Sequence, residues 1–441
     1  MQLLRNFHTL PKLNHFANGL KSVLTGKKYS FGQFEYTCQE EGNKEGLLDV
    51  SYDYDGISKY IKANGLFDKD SGMYRYRAFL PLPFNAEVPP LLVGNTPLYK
   101  LPTYEGFSSV YVKDEGRNPT ASLKDRASSL VVAKAIELGK TVVTTASTGN
   151  AAAALSGLMA SVSTHGLLSN IFVPENIPVA KLAQLLVYGS QVFLVRGTYD
   201  DAYDLCMEAT NKYKWYSRST GYNYFTVEGK KTVSFEMCEQ LAKFKKVHSK
   251  KKLFKSPDSI FVSVGDGNII SGVHKGLKDL YKTGMIEKMP RIFGVQSENS
   301  RAMYNCWKYK LDPFNLKPIE CNTIADSISA NLPRDPIRAL RSVTETNGQY
   351  MTVSDNEILK AIPDLARVSG VFPEPAASCS WAGFKKAIKS KLISPDETVV
   401  VISTGNGLKD IKAAQESVKV GSKLWKVSGF KELDEILKKN L

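Results

Sequence analysis

Four short stretches of this 441-residue chain carry residue types that could do chemistry together. The first is Asn118-Pro119-Thr120-Ala121-Ser122-Leu123-Lys124-Asp125-Arg126, which sets a lysine between a strand-like run, Ser109–Lys113, and a helix-like segment ending near Gly139. Read alone, such a lysine is a solvated helix-start residue, although helix starts favour acids over bases. The same position can hold an amine at the mouth of a cleft for Schiff-base chemistry, because burial tunes a lysine pKa readily. The second stretch, Gly265-Asp266-Gly267-Asn268-Ile269, follows the apolar run Ser259–Val264 and opens another helix. Glycines let the backbone turn its amides toward one point. The helix start adds unpaired N–H groups and the positive end of its dipole, and together these cradle a phosphate. The spacing is not the dinucleotide fingerprint, since Ile270 stands where a third glycine would fall, and no Gly-Lys-Ser/Thr follows to make a nucleotide phosphate loop. The last two stretches, Ala146-Ser147-Thr148-Gly149-Asn150 and Ser403-Thr404-Gly405-Asn406-Gly407, follow the apolar runs Thr141–Thr145 and Glu397–Ile402. Taken singly, Asn150 and Thr404 read as helix caps.

Taken together, the four stretches describe what pyridoxal 5'-phosphate requires: an amine for its aldehyde, a cradle for its phosphate, a donor for its ring oxygen and a partner for its pyridine nitrogen. The elements that would position them alternate. Apolar runs at Thr141–Thr145, Ile171–Val173, Gln191–Val195, Ser259–Val264, Arg291–Val295 and Glu397–Ile402 are separated by segments rich in Ala, Leu, Lys and Glu. Such runs predict parallel strands buried on both faces and an α/β architecture. In an open parallel sheet the three strand-to-helix loops are expected along one carboxyl edge. No internal repeat or long Pro/Ser-rich linker divides the chain. Residues 1–90 read as an N-terminal module, 91–240 as a lobe carrying Lys124 and the Ser-Thr-Gly-Asn loop, and 241–441 as a lobe carrying the phosphate loop and Thr404.

Composition narrows the class. The chain is 43% hydrophobic and 23% charged, as expected of a globular enzyme, and no apolar run is long enough to span a bilayer. Its six cysteines are scattered with no C-x-x-C pair, which fits reduced thiols rather than a disulfide frame or a zinc site. The formal charge is +14, and its densest block, Lys243–Lys255, holds seven lysines in thirteen residues. No recognisable nucleic-acid module surrounds that block, so it reads as a solvated loop. Residues 1–34 contain no acid. They read as a plain basic start, with an organelle transit peptide as the alternative to a cytoplasmic location and removal of residues 1–22 left open.

The motifs are similar, in order, to those of the threonine synthase family of fold-type II (tryptophan synthase β-like) pyridoxal phosphate enzymes. They are Asn118–Arg126, Ser147–Asn150, Glu228-Gly229-Lys230-Lys231-Thr232, Thr323–Ile328, Phe372-Pro373-Glu374-Pro375-Ala376-Ala377 and Thr404–Asp410, and the match covers roughly residues 91 to 415. The resemblance implies a two-lobed fold of parallel sheets flanked by helices, with a part at about 141–230 that moves over the substrate. It implies Lys124 as the Schiff-base lysine with Ser122 and Asp125 beside it, and Asn150 toward the ring oxygen. Gly265, Asp266, Gly267, Asn268 and Ile269 would hold the cofactor phosphate, and Thr404 the ring nitrogen. Ser147, Thr148 and Gly149 stand where the family holds the substrate carboxylate. The implied activity is conversion of O-phospho-L-homoserine and water to L-threonine and phosphate by a carbon–oxygen lyase. A threonine/serine dehydratase or another β-replacement synthase acting on a phosphorylated amino acid is the alternative. The chain departs from the family pattern, and its phosphate loop Val264–Gly272 also has the length seen in the serine/threonine dehydratases. The family commonly has an arginine two residues before Glu-Gly-x-Lys-Thr, where this chain has Thr226, and Arg218 is the candidate substitute. The N-terminal module resembles a degenerate zinc ribbon in which Cys38 alone survives, so no metal is expected. The expected partner is a small phosphorylated amino acid, with neither nucleic acid nor membrane, and a homodimer is the assembly to test.

Overall fold

The computed structural model describes residues 16–41, 46–66, 72–177, 179–197, 199–247, 249, 252–418 and 424–440. Its thirteen strands among these residues form three sheets. Strands β1 (Ala17–Ser22), β2 (Lys28–Tyr29) and β3 (Leu48–Tyr52) make a small antiparallel sheet in the order β2-β1-β3. Strands β4 (Leu98–Lys100) and β5 (Val110–Asp114) join the main sheet. Strands β6 (Val142–Ala146), β7 (Leu168–Pro174), β8 (Gln191–Val195) and β9 (Tyr216–Ser217) form a second, wholly parallel sheet in the order β8-β7-β6-β9. The chain then returns with β10 (Ser259–Ser263), β11 (Arg291–Ser297), β12 (Gln349–Val353) and β13 (Val399–Ser403) to complete the main sheet, ordered β12-β11-β10-β13-β5-β4. All neighbours in it are parallel except the edge strand β4.

Periodicity explains most of this. Strands β5, β10 and β13 are buried at every residue, as continuous apolar runs between helical layers must be. Strand β8 departs from that expectation. It is an edge strand with Phe193 and Leu194 exposed, because a run of apolar residues says nothing about whether a neighbour pairs on both sides. The expectation of one shared carboxyl edge is corrected as well. The Ser147–Asn150 loop leaves β6 of the smaller sheet, whereas the loops at Gly265 and Thr404 leave β10 and β13 of the main one. A boundary at residue 240 likewise does not follow the sheets, since β5 pairs with β13 in register from Val110↔Val399 to Asp114↔Ser403. The main sheet is begun by β4 and β5 and closed by the last strand of the chain.

In the N-terminal module, Cys38 is buried and donates its S–H to the Tyr29 hydroxyl at 3.3 Å. No group of three or more metal-ligating side chains occurs among the described residues. Strand β1 is the middle strand, with Leu20 fully buried, so a cut after residue 22 would remove the centre of the module. The first fifteen residues of the acid-free start lie outside the described residues. Among the described residues no helix is long and apolar enough to cross a membrane.

Candidate active site

Lys124 is the first residue of the helix Lys124–Glu137, directly after a loop in which Ala121 adopts φ +66°. Its motif neighbours hold that loop. The Asp125 carboxylate accepts the Thr120 N–H at 2.7 Å and also its hydroxyl, and Asn118 donates to Glu115 at 2.9 Å. Two residues after Lys124, Arg126 makes a two-pronged pair with Glu115, both contacts at 2.7 Å, and reaches Glu236 at 3.2 Å. Glu236 also takes Lys113 of β5 at 2.6 Å. Two cations and two carboxylates, all buried, thus pin the Lys124 helix to β5 and to the helix Thr232–Phe244. Removing one member of such a set leaves an uncompensated buried charge, at a cost of about 3–5 kcal/mol.

The side chain of Lys124 borders a cavity of about 430 Å³ between the two parallel sheets. Burial, and then the nearby Arg218, lower its pKa from the ordinary lysine value to about 8, against the raising influence of Asp266 and Glu374. Of the residues expected at the site, the cavity wall holds Lys124, Ser147, Thr148, Gly149, Asn150, Arg218 and the whole stretch Gly265–Ile269. Thr404 is not on that wall. It is buried beside the lysine loop, its carbonyl accepting the Leu123 N–H at 2.9 Å. Ser122 is buried next to it, its hydroxyl without a partner among the described residues.

Asn150 opens the helix Asn150–Ala160, and its side-chain N–H groups donate to both Glu374 oxygens, at 2.9 and 3.0 Å. Burial raises the Glu374 carboxyl above its ordinary value. Gly267 caps the helix Asn268–Lys282 at φ +88°, a backbone that favours glycine, and a β-carbon there would lie 2.6 Å from that of Ala339. At Gly265 a β-carbon would lie 2.8 Å from the Ile328 backbone. Neither position admits a side chain, and the first N–H groups of the helix are left without intrahelical acceptors. A glycine cradle of this kind, 141 residues along the chain from a lysine that shares its cavity, fits pyridoxal 5'-phosphate.

Motif reading gave no role to two residues on this site. Lys230, within Glu228–Thr232, is fully buried, lines the cavity and donates to the Asn268 side-chain oxygen. Burial, then Lys124 and Arg218, push its pKa well below the lysine range. Glu374, within Phe372–Ala377, is the acceptor for Asn150. Both lie inside the family-like motifs Glu228–Thr232 and Phe372–Ala377, the one signal the sequence offers for them. Asp335, which accepts from the Asn268 amide at 2.8 Å, carried none. Thr226, at the expected arginine position, turns its hydroxyl to the Asn223 carbonyl at 2.8 Å.

Two parallel sheets facing a cleft, with a buried lysine and a glycine cradle on its walls, define a fold-type II pyridoxal phosphate enzyme. Sequence comparison agrees: the family described as "Pyridoxal-phosphate dependent enzyme" matches residues 90–405. The threonine synthase of Methanocaldococcus jannaschii is 35% identical over 91% of this chain and 96% of its own length. That of Methanosarcina acetivorans is 35% identical over 89% of this chain and 92% of its own. Among solved structures, processed threonine deaminase isoform 2 of Solanum lycopersicum superposes with a TM-score of 0.61 at 20% identity, covering 74% of this chain and 88% of that one, a likeness of fold. The chain belongs to the threonine synthase family of pyridoxal phosphate-dependent lyases.

Proposed function

We propose that this chain converts O-phospho-L-homoserine and water to L-threonine and inorganic phosphate. The observation that carries the reading is Lys230. It is a fully buried amine on the wall of the Lys124 cavity, its acceptor is the neutral Asn268 amide, and it makes no ion pair among the described residues. Burial disfavours the charged form of this amine, and an arriving phosphate monoester restores it by supplying the missing counter-charge. Arg218 on the same wall supports the same preference and is the proposed substitute for the arginine absent at 226.

Bound pyridoxal 5'-phosphate would supply a carbonyl for the substrate amine and an electron sink for charge developing at the substrate α-carbon. The groups proposed to hold it are the side chains of Lys124, Asn150 and Thr404 and the backbone of the Gly265–Ile269 cradle. Lys124, with a pKa near 8, is suited to take and return protons at the substrate α- and β-carbons near neutral pH. Ser147, Thr148 and Gly149, ahead of the Asn150–Ala160 helix, offer hydroxyls and N–H groups to the substrate carboxylate. Residues 141–230 are proposed to close over the substrate and exclude water. Cofactor-bound and substrate-bound crystals with identical lobe angles would refute that closure. A homodimer in the cytoplasm is the proposed assembly and location, checked by sedimentation and by imaging of a fusion protein.

Turnover tests the function. Purified protein loaded with cofactor should release phosphate and threonine from O-phospho-L-homoserine. Release of ammonia and a 2-oxo acid from threonine, with no phosphate from phosphohomoserine, would assign it to the dehydratases instead.

A further inference from the structure

A second cavity, of about 480 Å³, lies between the N-terminal module and the Asn268–Lys282 helix. Its floor is one face of that helix, where His274, Lys275, Lys278 and Lys282 recur at helical spacing. Strands β1 and β2 supply Lys21 and Lys28 from the module, and the helix Pro336–Thr344 supplies Arg338 and Arg341. Three carboxylates share the wall, and each is engaged. Asp49 takes Arg338 at 2.8 Å, Asp279 takes Lys231 at 2.7 Å, and Glu345 takes Lys278 at 2.6 Å.

What is left over is positive. Lys21, Lys28, Lys282 and Arg341 line the cavity and make no ion pair among the described residues; Arg341 donates instead to the Val23 carbonyl at 2.6 Å. Lys282 stands over the Tyr54 ring at 4.8 Å. Its pKa is lowered by burial and then by Lys275 and Lys278, opposed by Asp279, with Lys21 adding to the same repulsion. Ammonium groups from separate segments therefore face one another across a space large enough for a ligand, and their mutual repulsion is relieved by a bound anion.

The wall of this cavity is bonded to the catalytic one. Tyr52 donates to Glu228 at 2.6 Å, Glu228 pairs with Lys231 at 2.5 Å, and Lys231 and Lys275 both reach Asp279. Glu228 and Lys231 flank Lys230, and the helix that forms the floor begins at Asn268, the acceptor for Lys230. One 15-residue helix thus serves both sites: its first residue, Asn268, holds Lys230, and the face from Ser271 to Lys282 lines the second cavity.

We propose that this second cavity binds a small anion carrying two or more phosphoryl groups, and that its occupancy is transmitted along the Asn268–Lys282 helix to the Lys124 cavity. The probe is inorganic pyrophosphate, titrated calorimetrically into the holoenzyme at about 0.15 M ionic strength. One saturable site is expected, weakened roughly tenfold or more in Lys21→Gln/Lys282→Gln and retained in Lys230→Gln. If the double variant fails to fold, Lys28→Gln carries the same test with a loss of about threefold. Absence of saturable binding, affinity unchanged in the module variants, or affinity lost in Lys230→Gln would each overturn the assignment. For the coupling, saturating pyrophosphate should shift the substrate KM in the wild type and not in the double variant. An equal shift in both, or none in either, would sink it. The binding measurement needs no turnover, so it stands or falls separately from the proposed substrate.

Discussion

Because burial depresses the pKa of Lys124, the stability of the cofactor-free protein must change with pH. In the unfolded chain the amine titrates at the ordinary 10.5, and in the folded cavity at about 8. A difference of about 2.5 units corresponds to about 3 kcal/mol at 1.36 kcal/mol per unit. The folded state binds this proton more weakly than the unfolded state. The penalty is therefore fully present below about pH 8 and disappears as pH rises from about 8 to 10.5. Lys124→Met removes the charge while keeping the apolar stem, so the cofactor-free variant should be more stable than the cofactor-free wild type at pH 7, by up to about 3 kcal/mol. That gap should shrink toward zero by about pH 10.5. Urea unfolding at a series of pH values measures the gap, and carbon-13 NMR of the lysine ε-carbons locates the midpoint directly. Two neighbours set the sign of further shifts. Asp266→Asn removes a carboxylate that raises the Lys124 pKa and should move the midpoint below 8, whereas Arg218→Met removes a cation that lowers it and should move the midpoint up. A midpoint near 10 in the wild type, together with a stability gap independent of pH, would refute the reasoning that burial in this cavity prepares the amine.

Three other expectations follow from named contacts. Lys230→Gln should lower kcat/KM for the phosphorylated substrate by about 10–100-fold, the worth of one charge-assisted hydrogen bond, and leave the helical circular dichroism unchanged; an unaltered kcat/KM would remove Lys230 from substrate recognition. Gly267→Ala should destabilise the protein by about 1–3 kcal/mol, because it demands φ +88° of an alanine and sets its β-carbon 2.6 Å from that of Ala339. It should also weaken binding of pyridoxal 5'-phosphate followed by its absorbance, and wild-type cofactor affinity in this variant would contradict the cradle. Glu236→Gln should cost about 3–5 kcal/mol in urea unfolding, since Lys113 and Arg126 both lose a buried counter-charge; a loss below about 1 kcal/mol would mean that the buried quartet is not what fixes the Lys124 helix.

What could be read from the chain and what could not differ in range along the sequence. The glycine cradle was legible because its chemistry is local: two glycines, an apolar run before them and a helix after them lie within about a dozen residues. The alternation of parallel strands was legible for the same reason, since a strand buried on both faces reads as a near-continuous apolar run. Pairing was not legible, because it is decided by partners far apart. Strand β5 closes against β13 from the other end of the chain, and β8 is left at an edge although its composition matches that of a central strand. The same limit hid the supporting residues of the site. Arg126 was visible inside its motif, but its acceptors Glu115 and Glu236 lie 11 and 110 residues away, and nothing near either of them announces a buried pair. Lys230 was hidden differently. It stands at the variable position of Glu-Gly-x-Lys-Thr, where motif reading assigns no task, and its importance comes from being fully buried against Asn268 with Lys124 and Arg218 close enough to depress its pKa. The motif marks which segments converge. Burial then decides which of their side chains must meet an anion, and in this cavity that selects a lysine the motif leaves free to vary.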